Sequence, residues 1–200
     1  DDLLKSLMLC LRCRVLRVKD RDFEEQYIKK VEECTTLCDL ARTCIYIYSL
    51  PHGFSEMLNR LLSEFEDNIR LLRVLCPFML CLLLNFCNFF EQRNMESRQL
   101  KIYLDGDVDE SLLSPGDIVY NTNFFNCINV DEYNVSSKNY ILVDYNYIPL
   151  REKSFLCNLL FIEPYSFYKE AVEYIFAPYS RFVVKGIKKT GGVKVIELRC

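Results

Sequence analysis

The chain has no tryptophan, one histidine (His52), and only six glycines and six prolines among its 200 residues. A single imidazole excludes a histidine-rich metal centre. A cysteine–histidine dyad would have to use His52, which follows Pro51 in a helix-breaking turn. The scarce glycines exclude a phosphate loop: neither Gly-x-Gly-x-x-Gly nor a Walker pattern occurs, and Gly191-Gly192 falls in an expected hairpin. Blocks of like charge are missing too. The net charge of -3 leaves no electrostatic footprint for nucleic acid and no polybasic surface for a membrane. The most apolar stretch, Val74 to Phe90, reaches the lower limit for a membrane span but holds Pro77, Asn85 and Asn88, so a buried helix is expected. The sequence opens at Asp1, which leaves open whether a signal peptide preceded it.

What is present reads as globular. Half the residues are hydrophobic and 26% are charged, enough for a core and a solvated surface. The 14 Phe and 13 Tyr, with many Asn, Ile and Lys, fit an AT-rich coding sequence. Eleven cysteines are scattered along the chain, eight of them (Cys10, Cys13, Cys34, Cys38, Cys44, Cys76, Cys81 and Cys87) in helical-looking stretches. Cys10/Cys13 and Cys34/Cys38 have the spacing of half a zinc site, and a four-thiolate site is conceivable, but small buried apolar residues are the favoured reading. So many unpaired thiols point to a reducing compartment and a cytoplasmic protein. The acidic run Asp105 to Glu110 lacks the ligand spacing and closing Glu of a calcium loop. Asn134-Val135-Ser136 is a glycosylation sequon of a kind that arises often by chance.

Two periodicities divide the chain. Up to about Glu91 the apolar residues recur at three and four: Leu3, Leu4, Leu7, Met8 and Leu11, then a pattern from Phe23 to Tyr48. After the break at Leu50-Pro51-His52-Gly53, a helix from Ser55 places Met57, Leu58, Leu61, Leu62 and Phe65 on one face and Glu64, Glu66, Asp67 and Arg70 toward solvent. Beyond Ser97 the segments become short, β-branched and aromatic: 101–104, 117–120, 140–143 and 155–162, with turn residues between them. Phe182–Lys185 and Val193–Leu198 flank Lys189-Thr-Gly-Gly192 as a hairpin. Helices followed by strands predict an α+β fold, a helical lobe over 1–97 and a β lobe over 98–200 within one structural unit.

Several fragments carry a family resemblance. Phe161-Ile-Glu-Pro-Tyr-Ser-Phe167, then Glu173-Tyr-Ile-Phe-Ala-Pro178 and Phe182-Val-Val184, resemble the third motif of the vertebrate arginine-specific mono-ADP-ribosyltransferases. Ile45-Tyr-Ile-Tyr-Ser49 resembles that family's "AYT" helix end, Phe54-Ser-Glu-Met-Leu-Asn59 its "FxxEFN" helix start, and Phe23-Glu-Glu-Gln-Tyr27 its "FDDQY". The helical stretch between Tyr27 and Ile45 is shorter than the family usually has. The resemblance implies a two-sheet β-sandwich after the helical lobe, and an NAD site built from an arginine following "VY", a Ser-x-Ser, and a Glu-x-Glu.

Carried over by position, the resemblance implies loss. Ile102-Tyr103 matches "VY", so Leu104, followed by Asp105, stands where the phosphate-gripping arginine belongs. Phe125-Asn-Cys-Ile-Asn129 matches the serine motif, which puts Cys127 and Asn129 at the serine positions. Ala171-Val-Glu173 matches Glu-x-Glu, leaving Glu173 as the vestigial catalytic residue and Ala171 in place of the acceptor-binding glutamate. Cys157 matches a cysteine whose family partner is missing near Gln99-Leu100-Lys101, so the family disulfide cannot form. A guanidinium–phosphate hydrogen bond contributes roughly 1.5–3 kcal/mol, which leucine cannot supply. Poor NAD binding is expected unless Arg98, Lys101 or Arg151 reaches the phosphates.

The resulting expectation is a pseudoenzyme that binds no cofactor and acts through a protein partner, with neither nucleic acid nor membrane involved. A virus-encoded copy of a captured host gene would fit the composition and the lost disulfide, with a host-defence protein as target. One alternative is an active transferase using Glu173 and another phosphate anchor, with NAD as cofactor. Another is an unrelated helical interaction module, with Leu112, Leu113 and Phe124 exposed for partners.

Overall fold

The structure is a computed structural model that describes residues 2–11, 21–50, 54–86, 97–103, 109–129, 139–145, 158–167, 173–190 and 192–200, with the backbone alone described for 21–26, 103, 110, 129 and 190. The chain forms two compact units, Asp1–Phe90 with Ile162–Glu170, and Glu91–Phe161 with Ala171–Cys200. The expected division at residue 97 therefore has an exception: 162–170 belongs with the helices.

In the first unit, α1 (Asp2–Leu11) buries Leu7, Cys10 and Leu11, as its three–four spacing predicts. The pattern from Phe23 to Tyr48 is two helices, α2 (Arg21–Glu32) and α3 (Leu37–Tyr48). Thr36 separates them. Its hydroxyl accepts from Asp39 N (3.1 Å) while the Asp39 carboxylate accepts from Thr36 N (3.1 Å), a capping box legible as Thr-x-x-Asp. The Thr36 hydroxyl hydrogen bond also holds Asp39 below the usual carboxylate range. Cys34 lies outside both helices, so Cys34 and Cys38 do not share one helical face.

Next come α4 (Phe54–Ser63) and α5 (Phe65–Leu84). The acidic and basic residues Glu64, Glu66, Asp67 and Arg70 are exposed as expected, but so is Phe65. The buried helix expected after Val74 is buried on one face only. Leu75, Phe78, Cys81 and Leu82 face inward, while Val74, Leu80 and Leu83 remain exposed. Its period of 3.6 in a run of uniformly apolar residues leaves apolar side chains on both faces. Among the described residues no helix is long and apolar enough to cross a membrane. Asn85 ties α5 to α3, its amide donating to Ala41 O at 2.9 Å. One turn away along both helices stand Cys44 and Cys81, and burial pushes the Cys44 thiol well up. Among the described residues no cluster of metal-ligating side chains occurs. Cys13, Cys87 and Cys157, His52, Asp105–Val108 and the 134–136 sequon lie outside the described residues.

The second unit is β1 (Arg98–Tyr103), β2 (Ile118–Tyr120), β3 (Phe125–Asn129), β4 (Tyr140–Tyr145), β5 (Leu159–Phe161), β6 (Glu173–Phe176), β7 (Arg181–Thr190) and β8 (Val193–Arg199). They form one mixed sheet in the order β2-β7-β8-β4-β1-β3-β6-β5, in which only β4 and β8 are parallel neighbours. The β7–β8 hairpin turns at Gly192 (φ 83°), as its sequence predicts.

The two sheets expected are one hydrogen-bonded sheet that folds over its own core. β7 is second in the order and β6 seventh, which in a flat sheet would separate them by about 24 Å. Yet the rings of Phe176 (β6) and Phe182 (β7) meet edge to face with centroids 5.1 Å apart. The core between the halves includes Leu100, Cys127, Val143, Leu159, Tyr174 and Leu198. Phe124 is buried and Leu113 packs against this core, so of the three residues proposed as exposed patches only Leu112 is solvent-facing.

Candidate functional site

Three of the motif fragments meet within the helical unit at the end of α3. Asn59, from the "FxxEFN"-like segment on α4, donates its amide to the Tyr48 hydroxyl at 3.2 Å. Ser49, which follows Tyr48, accepts from the backbone N–H of Phe167 at 2.7 Å and donates to Tyr46 O at 2.9 Å. Tyr46 and Phe167 pack edge to face at 6.0 Å, and the Arg42 guanidinium lies 5.1 Å from the Tyr165 ring centre. The segment is closed on itself by Tyr165 N→Ile162 O and Ser166 N→Ile162 O bonds of 2.9 and 2.8 Å. Residues more than a hundred positions apart are thus joined through side chains that the motifs supply. A cleft of about 260 Å³ opens at the other end of α3, about 18 Å away by helix length, among Leu3, Leu4, Cys34, Thr36 and Leu40. Its lining does not include the motif residues.

In the second unit strand alternation decides which side chains share a face. Tyr174 and Phe176 enter the core, so Glu173 and Ile175 take the opposite face of β6. Cys127 also enters the core, where its thiol donates to Tyr174 O at 3.4 Å. Burial pushes the Cys127 thiol well above its ordinary range, with Cys200 and Glu173 adding to the effect. Cys127 is therefore a neutral core residue on the other side of the sheet from Glu173. Asn129 follows two positions along β3 and pairs with Leu100 in the ladder. Leu104 and Ala171 lie outside the described residues.

On the face of Glu173 the ladders align Lys101, Ile128 and Glu173 across β1, β3 and β6. Lys101 and Glu173 stand two strands, or about 9–10 Å, apart, with half-buried Ile128 between them. The Lys101 ammonium lies 4.7 Å from the Tyr140 ring centre. Asn126 is exposed on the same face of β3. Arg98 has the opposite parity: its guanidinium stacks at 4.9 Å on the Tyr174 ring and donates to the Tyr174 hydroxyl. Of the three cations proposed as substitute phosphate anchors, Lys101 shares the Glu173 face, Arg98 is engaged with the core, and Arg151 lies outside the described residues.

Three solved structures resemble this arrangement of helices and folded sheet. The ADP-ribosyltransferase HopU1 of Pseudomonas syringae pv. Tomato DC3000 matches with TM-score 0.61 and 12% identity over 92% of this chain and 84% of its own. The Clostridium limosum C3 exoenzyme matches with TM-score 0.57 and 12% identity over 90% and 91%. The ADP-ribosyltransferase Vis, solved in complex with agmatine, matches with TM-score 0.54 and 15% identity over 90% and 81%. The fold is that of ADP-ribosyltransferases. No protein-family model matches the sequence, and no curated protein matches it significantly. These bacterial neighbours establish the ADP-ribosyltransferase fold, not the vertebrate arginine-specific family.

Within that fold, the residues that sequence matching did not single out are Ile128 and Asn126, and it offered Lys101 only as one of three cations. The available signal was parity. Leu100 and Ile102 mark the core phase of β1, which leaves Lys101 on the other face, whereas β3 carries apolar residues on both phases.

Proposed function

We propose that this domain is an ADP-ribosyltransferase-like pseudoenzyme that acts by binding another protein. The observation that carries this reading is the neighbour of Glu173. On its own face of the sheet, the adjacent strand offers Ile128, an apolar side chain that can neither orient the carboxylate nor donate to a ribose. The first serine-like position of the motif does not repair this, because Cys127 is in the core. Leucine at the arginine position of the motif supports the same reading, since it cannot supply the charge-assisted contacts on which a dinucleotide diphosphate depends. The order of the motifs favours descent from the vertebrate-type arginine-specific enzymes. The composition and the missing family disulfide favour a virus-encoded protein directed at host defence.

One observation favours a second reading. Lys101 stands in line with Glu173, and a ligand lying over Ile128 would have a cation at one end and a carboxylate at the other. Calorimetric titration with NAD, paired with an NAD-hydrolysis assay, separates the two. No heat of binding and no hydrolysis are expected for the pseudoenzyme. Micromolar binding that Lys101→Ala weakens, with hydrolysis that Glu173→Gln abolishes, would establish an active transferase with a lysine anchor.

A further inference from the structure

We propose that the β2 edge of the sheet takes up an extended, acidic peptide segment of a partner as an added strand, an inference that rests on the protein-binding reading above. β2 is first in the strand order, and among the described residues its ladder to β7 leaves one side open. Val184 N donates to Asp117 O (2.9 Å) and Asn121 N to Ser180 O (3.4 Å), which sets the bonded pairs at every second residue, with Val119 opposite Phe182 between them. The N–H and C=O groups of Ile118 and Tyr120 consequently point away from β7, the pattern that a peptide strand can pair with.

The side chains at this edge fit such a visitor. Val119 packs toward the core, so Ile118 and Tyr120 take the outer face, where they are 50% and 58% exposed. The outer face continues inward as Arg181 beside Tyr120, and as Val183 then Arg199 beside Ile118. Both arginines are exposed and make no ion pair among the described residues. Two nearby cations are otherwise committed, Lys185 to Asp144 at 2.6 Å and Lys188 to Glu197 at 2.6 Å, while the Asp117 carboxylate before β2 accepts from Ser114 N at 2.7 Å. An exposed guanidinium one strand behind an apolar edge, with a second a strand further in, selects an extended backbone with carboxylates among its alternate side chains.

The test uses a fluorescein-labelled Val-Glu-Val-Glu-Val-Glu peptide, read by anisotropy against the full chain, with a Val-Lys repeat as control. Saturable binding of the acidic peptide alone is expected. Ile118→Pro removes only an outward N–H, so β2 stays paired while binding falls about tenfold or more. Arg181→Glu, at an exposed position one strand in from the edge, should weaken the acidic peptide by about tenfold and favour the lysine repeat, with Arg199→Glu, a strand further in, weakening it less. Equal binding of both peptides, unchanged binding in Ile118→Pro, or no binding at all overturns the proposal. So does a dimer in sedimentation that Ile118→Pro dissolves, since a second copy would then be the occupant. NAD titration reads the Glu173 face and this titration the β2 edge, so either reading can fail without the other.

Discussion

Placing a serine at position 127, as the resemblance to the transferase motif suggests, should destabilise this protein without improving NAD binding. Cys127 is 2% exposed and packs among Leu100, Tyr174 and Phe176 in the core of the folded sheet. Its thiol reaches Tyr174 O at 3.4 Å, a good distance for sulfur. A hydroxyl has a shorter arm and bonds at about 2.5–3.0 Å, so Cys127→Ser would leave a stretched hydrogen bond and a poorly satisfied polar group. Burial of such a group costs about 1–3 kcal/mol. With a urea slope near 2 kcal/mol/M, the midpoint should fall by about 0.5–1.5 M. Far-UV circular dichroism can follow this transition, since no tryptophan is present to report it. NAD titration of the same variant should show no gain. Ile128→Ser places the hydroxyl on the Glu173 face instead, so any NAD binding that a serine restores should appear in this variant and not in Cys127→Ser. If Cys127→Ser unfolds at the wild-type urea concentration and gains NAD affinity while Ile128→Ser gains none, the assignment of faces is wrong.

Removing the ring that joins the two halves of the sheet should be severe: Phe176→Ala is expected to cost about 3–5 kcal/mol, near the low end of a domain's whole stability, and calorimetry should show a lower melting temperature or no transition. A melting temperature within a few degrees of wild type would contradict the folded-over sheet. The hydrogen bonds from Lys185 and Gln99 hold Asp144 below the usual carboxylate range. A depressed pKa contributes stability above the unfolded value and loses it as pH falls through the folded one, so the loss should come below about pH 4. Asp144→Asn should flatten that acid slope, more visibly at low salt than at high, in urea titrations across pH.

Much of the fold could be read from the order of residues. The three–four spacing of Leu7 and Leu11, the Thr36-x-x-Asp39 cap and the Gly192 hairpin are local signals, and each element formed where its signal lay. The motif fragments were legible too, and Tyr48, Ser49, Asn59 and Phe167 turned out to bond to one another. The site was less legible because the segment Phe125-Asn-Cys-Ile-Asn129 has apolar residues on both phases of its alternation. Period two fixes which residues share a face but not which face is the core. The same ambiguity hid the outer face of α5, where Val74, Leu80 and Leu83 look as buried in sequence as Leu75 and Phe78.

The sequence by itself determined the helical first half, most of the strands and the hairpin turn, because each of these depends on neighbours within a few positions. Only the tertiary structure decided that one sheet doubles back on itself, that Cys127 lies under it, and that Lys101, Ile128 and Glu173 form a row on the opposite face. Those outcomes depend on which strands pair and on which side the core collapses. Both are set by packing between residues far apart in the chain, where periodicity carries no information.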